Sequence, residues 1–151
     1  MSQIASAYAV PAGVLPEVQR HLSANEWAGF WRRMNDFRVG ETFPHSGYVV
    51  VVAAEYLREL GIELPVSRDA AVRQLVERCD PLVCATRTDA STDATTLAGI
   101  AASDDVLATY WREFTGDGEL EAGAAMREAL DWLRQVLTAG READWVVILA
   151  G

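Results

Sequence analysis

Residues 48–60 read YVVVVAAEYLREL, and the fold turns on whether they form a strand or a helix. Four successive valines, Val49 to Val52, favour a strand, because β-branched side chains suit a pleated surface. The rest of the segment favours a helix. Ala53, Ala54, Glu55, Leu57, Arg58, Glu59 and Leu60 are good helix formers, and Gly61 stands where the residue after a helix belongs. Val49, Val52, Tyr56 and Leu60 fall on one helical face, with Val50, Ala53, Ala54 and Leu57 on its flank. The balance predicts one buried helix, with Ser46 as its N-terminal cap.

Working outward, both ends of the chain read as strands. Ile4 to Val10 alternates Ile4, Ser6, Tyr8 and Val10 against small alanines, and Pro11 and Gly13 then break it. Trp145 to Ala150, WVVILA, is apolar throughout and belongs in the centre of a sheet. A short strand is expected over Pro81 to Thr86.

The remainder is mostly helical. Pro16 suits the first turn of a helix over Leu15 to Leu22. Asn25 is a candidate cap for a second helix, in which Trp27, Phe30, Trp31, Met34 and Phe37 make one stripe. Ser67 opens a helix ending near Arg78. Ser103-Asp104-Asp105 starts another, with Val106, Leu107, Tyr110, Trp111 and Phe114 facing inward. Glu119 to Ala139 is the longest helix, with Met126, Leu130, Leu133 and Leu137 as its stripe. Thr86 to Ser103, rich in Thr, Asp, Ala and Ser, is expected to be a mobile loop. These elements make one α+β domain over residues 1–151, mainly helical, with a small sheet holding the N- and C-terminal strands side by side.

Composition narrows the function classes. The formal net charge is −9, from 22 acidic against 13 basic residues, which argues against nucleic acid and anionic membrane surfaces as partners. All the bases are arginine, so Schiff-base chemistry and a P-loop lysine are excluded. No apolar run approaches the length of a membrane span, and the opening MSQIASAYAV lacks the basic region of a signal peptide. A soluble, cytoplasmic protein is expected. Cys79 and Cys84, spaced C-x4-C, have no companions to complete a zinc site and read as buried free thiols. No metal or cofactor is expected, since no ligand spacing or phosphate-binding loop is present.

His45, in the loop between Pro44 and Ser46, is the leading candidate for proton chemistry, with Glu41 as its carboxylate partner. His21 reads as a helix C-terminal cap, and a Cys84–His45 nucleophile–base pair has no local signature behind it. Trp27, Trp31, Tyr48 and Trp132 are the candidate ligand- or partner-binding aromatics. The acids at Asp104-Asp105 and Asp117-Glu119-Glu121 begin helices and offer an acidic face.

The opening IASAYAVPAGVLPEVQRHL and the close REALDWLRQVLTAGREADWVVILAG resemble the two ends of the bacterial YfbM-like family. The segment HSGYVVVVAAEYLRELGIELP is similar to uncharacterised actinobacterial proteins. The resemblance covers about a third of the chain, implies an α+β fold and supplies no site. An aromatic-rich Leu-Leu-Thr-Gly step of that family is missing here.

Two functions follow as expectations. One is an acidic binding protein for a basic protein or small ligand, of which an immunity-type, toxin-neutralising protein is one form. The other is a small cofactor-independent enzyme, a cyclase or isomerase, acting on an apolar molecule through His45 and Glu41. An enclosed apolar pocket at His45 points to the enzyme, and a flat acidic aromatic face to the binder.

Overall fold

Six apolar residues in succession leave neither face of a strand fit for water. In the computed structural model, Trp145–Ala150 is indeed a strand buried on both faces. The structure describes residues 4–62, 64, 74, 78–79, 82–87 (main chain only), 96–118, 121–140, 143 and 145–150. Four strands make one antiparallel sheet: β1 (Ala5–Val10), β2 (Arg38–Val39), β3 (Leu82–Arg87) and β4 (Trp145–Ala150), in the order β2-β1-β4-β3. The β1–β4 pairing runs from Ala5 opposite Ala150 to Val10 opposite Trp145. The terminal strands are therefore central neighbours, and the fold is α+β as the sequence predicts.

Because side chains alternate across a strand, the sheet offers two different faces. Tyr8, Val10, Trp145, Val147 and Leu149 point one way and are covered by α1 (Leu15–Ser23) and α2 (Trp27–Asn35). Ala5, Ala7, Val146, Ile148 and Ala150 point the other way, into a larger cluster with α3 (Gly47–Glu59), α4 (Asp104–Thr115) and α5 (Ala122–Ala139). The small residues of β1 are on this second face, where they let α3 come close. A Cβ on Gly47 would stand 3.0 Å from the Ala5 nitrogen, so glycine is what seats the start of α3 against the first strand. Among the described residues no helix is long and apolar enough to cross a membrane.

The valine run is helical. Ser46 caps α3 by accepting from the Tyr48 N–H at 3.4 Å, and Gly61 adopts a left-handed φ of +81° just past its end. Val49, Val50, Val52, Ala53 and Leu57 are buried along it. A valine costs a few tenths of a kcal/mol in a helix. Full burial of its side chain returns roughly 1.5–3 kcal/mol, so packing outweighs propensity.

Several expectations are corrected. Asn25 does not cap α2; Glu26 precedes that helix, and Asn25 sits at φ +59° in the tight α1–α2 turn, a conformation asparagine tolerates. His21 does not cap the end of α1 with its side chain but joins Glu26, with Nδ1···Oε2 at 2.8 Å, across that turn. The α2 stripe divides: Phe30 and Met34 are buried, whereas Trp27 and Trp31 are 37% and 39% exposed. The reason is the close approach of α1, whose His21 ring lies directly over Gly29 and fixes a narrow contact line. On α4 only Leu107 and Trp111 are buried, while Val106 and Phe114 face out. The longest helix starts at Ala122, after Glu121. Within Thr86 to Ser103, Thr86 and Arg87 complete β3, and Thr96 to Ala98 make a helical turn that buries Leu97. The expected start of a helix at Ser67 and residues 88–95 lie outside the described residues.

Two consequences are measurable. A Cβ on Gly123 would overlap the Asp104 carbonyl, where α4 and α5 meet. Gly→Ala normally gains about 1 kcal/mol in a helix, but overlap with main chain cannot be relieved by a rotamer change and costs about 1–3 kcal/mol. Gly123→Ala is therefore expected to lower the urea midpoint. Cys79 is a free thiol packed against the α1–α2 cluster, and burial pushes it up to about 11 from its ordinary value of 9.0. Its raised value means less thiolate at pH 8, so alkylation followed by peptide mapping is expected to be about a hundredfold slower in native than in unfolded protein. The same sign makes its stability contribution complete below pH 9 and lost as pH rises toward 11.

Candidate functional site

His45 is held by a loop that is anchored from both sides. The Phe43 N–H donates to the Ala5 carbonyl at 3.1 Å, which ties the loop to β1. The Phe43 ring is buried, 5.8 Å from the Trp132 ring and 5.4 Å from the His45 ring. Trp132 Nε1–H donates to the Glu41 main-chain carbonyl at 2.9 Å, so α5 grips the loop as well. Directly after His45, Ser46 caps α3 and Gly47 packs on β1. The imidazole is left on the surface at a defined position.

Its partner is Glu128 on α5, with Nε2···Oε2 at 2.7 Å. The carboxylate accepts, which assigns the proton to Nε2. His45 and Glu128 stand at the mouth of a cleft of about 380 Å³. Its walls are the capping Ser46 and Val49 of α3, Trp111 of α4, Glu121 just before α5, and Ala122, Ala124 and Ala125 of α5. Tyr48 stands edge-on to Trp111, with ring centroids 5.9 Å apart. The Trp111 Nε1–H is buried and has no hydrogen-bond partner among the described residues.

The cleft combines an apolar floor with two carboxylates. Glu121, the residue before α5, and Glu128, seven residues on within that helix, both line it. Two turns of helix separate their Cα atoms by about 10 Å along the axis. Between them lie Ala124 and Ala125, too short to obstruct anything placed along the groove. Among the described residues no three His, Cys, Asp or Glu side chains gather as they would around a metal ion.

The sequence-based candidates are distributed as follows. His45 is in the cleft, and Tyr48 packs on the Trp111 ring that forms one of its walls. Glu41 reaches the assembly through its main-chain carbonyl, and the carboxylate bonded to His45 is that of Glu128. Trp132 is buried behind the loop and positions it, rather than offering a surface anchor. Trp27 and Trp31 are on the opposite side of the sheet, Trp27 under the Arg78 guanidinium at 5.6 Å and Trp31 beside Tyr8 at 6.4 Å. Cys84 is on β3, opposite Ile148 of β4.

Sequence reasoning missed Glu128; it placed Glu121 only in an acidic helix start and Trp111 only on an inward helix face. A signal for the first two exists: Glu121, Ala124, Ala125 and Glu128 follow the i, i+3, i+4, i+7 spacing of one helix face. That face is opposite the apolar stripe and was legible only as solvated helix.

Comparison with known proteins returns no match to a family model, to a curated protein or to a solved structure.

Trp132→Phe removes the bond to the Glu41 carbonyl while keeping an aromatic body against Phe43. A loss of about 1–2 kcal/mol in unfolding free energy is expected, together with weaker protection of the loop amides in hydrogen exchange.

Proposed function

We propose that this protein is a binding protein whose His45 cleft takes a linear organic dication, such as a polyamine or an amine joined to a guanidinium by a methylene chain. The observation that carries this reading is the pair of carboxylates, Glu121 and Glu128, lining one cleft with Ala124 and Ala125 between them in the chain. Glu121 and the Glu128 oxygen not bonded to His45 each offer an acceptor to a cationic group. The Ala124–Ala125 floor and the Trp111 face suit methylenes, and an aromatic face also attracts cations. The net charge of −9 raises the local concentration of cations around the whole molecule. Nucleic acid is an unsuitable partner for the same electrostatic reason. The kinship with YfbM-like proteins belongs to the proposal as a matter of fold and contributes no site.

A second reading has one observation in its favour. The 2.7 Å bond between His45 and Glu128 orients an imidazole at the mouth of a partly apolar cleft, as a general acid–base pair requires. In that reading His45 moves the proton, Glu128 fixes its tautomer, and the bound amine is substrate. Turnover of the bound amine that is abolished in His45→Ala would select it.

Binding is tested by titrating spermidine into protein carrying 15N-labelled tryptophan, with the Trp111 indole signal assigned through Trp111→Phe. A saturable shift of that signal is expected, weaker for butylamine and weaker as salt rises. Because both carboxylates are partly solvated, Glu121→Gln and Glu128→Gln should each reduce affinity only about two- to fivefold. No shift at millimolar spermidine, or affinity unchanged from the unsubstituted protein in both variants, contradicts the reading.

A further inference from the structure

A second acidic surface lies where α3 and α4 pack, apart from the cleft. Tyr56 of α3 meets Tyr110 of α4 edge-on at 5.0 Å, and Tyr110 stacks on Phe114 at 5.9 Å with the rings 22° apart. Val106, one turn before Tyr110, is 52% exposed and Phe114 is 45% exposed. Val106, Tyr110 and Phe114 recur every four residues, so they form a ridge along α4 that continues onto Tyr56. Tyr56, Asp105, Val106, Thr109, Tyr110 and Glu113 line a shallow, open depression of about 380 Å³.

Carboxylates ring this apolar strip. Asp105 and Glu113 flank it on α4, and Glu55 and Glu59 on α3. The Tyr110 phenol donates to Glu59 Oε1 at 3.3 Å, which fixes that ring in the strip. Of the nearby bases, Arg58 is already joined to Glu55, and Arg112 stands a residue before Glu113. Four acids against two bases leave the rim negative.

We infer that the α3–α4 face docks a basic amphipathic helix of a partner protein, with that helix's apolar side chains on Val106, Tyr110, Phe114 and Tyr56 and its cations at Asp105, Glu113 and Glu59. Charge complementarity around an exposed aromatic ridge favours such a helix. A second copy of this chain fits poorly, because a two-fold contact would bring the same acidic rim against itself in a protein of net charge −9. Aromatic side chains supply large contact area with few torsions to freeze, which suits this ridge to the centre of an interface. The surface is independent of the cleft: it uses none of His45, Glu121 or Glu128.

The test uses the full chain, a synthetic Lys–Leu amphipathic peptide and its Glu–Leu counterpart. The Lys–Leu peptide is expected to bind and to shift the amide signals of Tyr56, Val106, Tyr110 and Phe114, while the Glu–Leu peptide does not bind. The double variant Asp105→Lys with Glu113→Lys should weaken binding about tenfold, and Val106→Ser with Phe114→Ser, both at exposed positions, should do so at unchanged far-UV dichroism. Equal binding of the two peptides overturns the inference. So does a shift map centred on the His45 cleft, or a dimer in sedimentation that Val106→Ser dissolves, which would assign the ridge to self-association.

Discussion

Everything in this molecule is arranged around β4. Its six residues are buried on both faces, and it holds β1 on one side and β3 on the other. A strand so placed has no solvent face, so helices must cover the sheet twice. The N-terminal pair α1 and α2 covers one face, and α3, α4 and α5 cover the other. Antiparallel pairing of the first and last strands means that neither cluster is complete until the chain ends have met. Contacts of such wide sequence separation are made late and bind the sheet into one cooperative unit.

The two faces of β1 are unequal, and that inequality places the site. Tyr8 and Val10 fill space on the α1–α2 side, whereas Ala5 and Ala7 leave room on the other. Gly47 takes up this room, so the first turn of α3 presses on the strand and its preceding loop is drawn to the rim. Phe43 and Trp132 then lock the loop from beneath. The position of His45 against Glu128 is thus a consequence of small residues on one strand face and of an indole on α5.

Much of the fold was legible in the sequence because burial writes itself as periodicity. The two terminal strands, the caps at Ser46 and Ser103 and the break at Gly61 are local signals with local causes. The valine run was legible as a helix because its flanking helix formers and its terminal glycine agree. The aromatic stripes were read too broadly. A 3.6-residue pattern tells which side of a helix is apolar but not how wide a band its neighbours cover, so Val106 and Phe114 read as inward-facing although they are exposed. Trp132 erred the other way, since its burial depends on a loop more than eighty residues earlier in the chain. The pairing of His45 with Glu128 was illegible for that same reason: it spans 83 residues, and only the fold brings the two together.

Acidity has two structural expressions here. Around the cleft it is a pair of carboxylates two turns apart over an alanine floor, and around the α4 ridge it is a rim about exposed rings. The first matches a small dication and the second a basic helix, so excess negative charge becomes specific through what lies between the charges. A crystal structure of the protein grown with spermidine tests the central claim most directly. The account predicts density along the cleft, with amines at Glu121 and Glu128 and the chain over Ala124 and Ala125 against Trp111. An empty cleft, or spermidine found only on the α4 ridge, would contradict it.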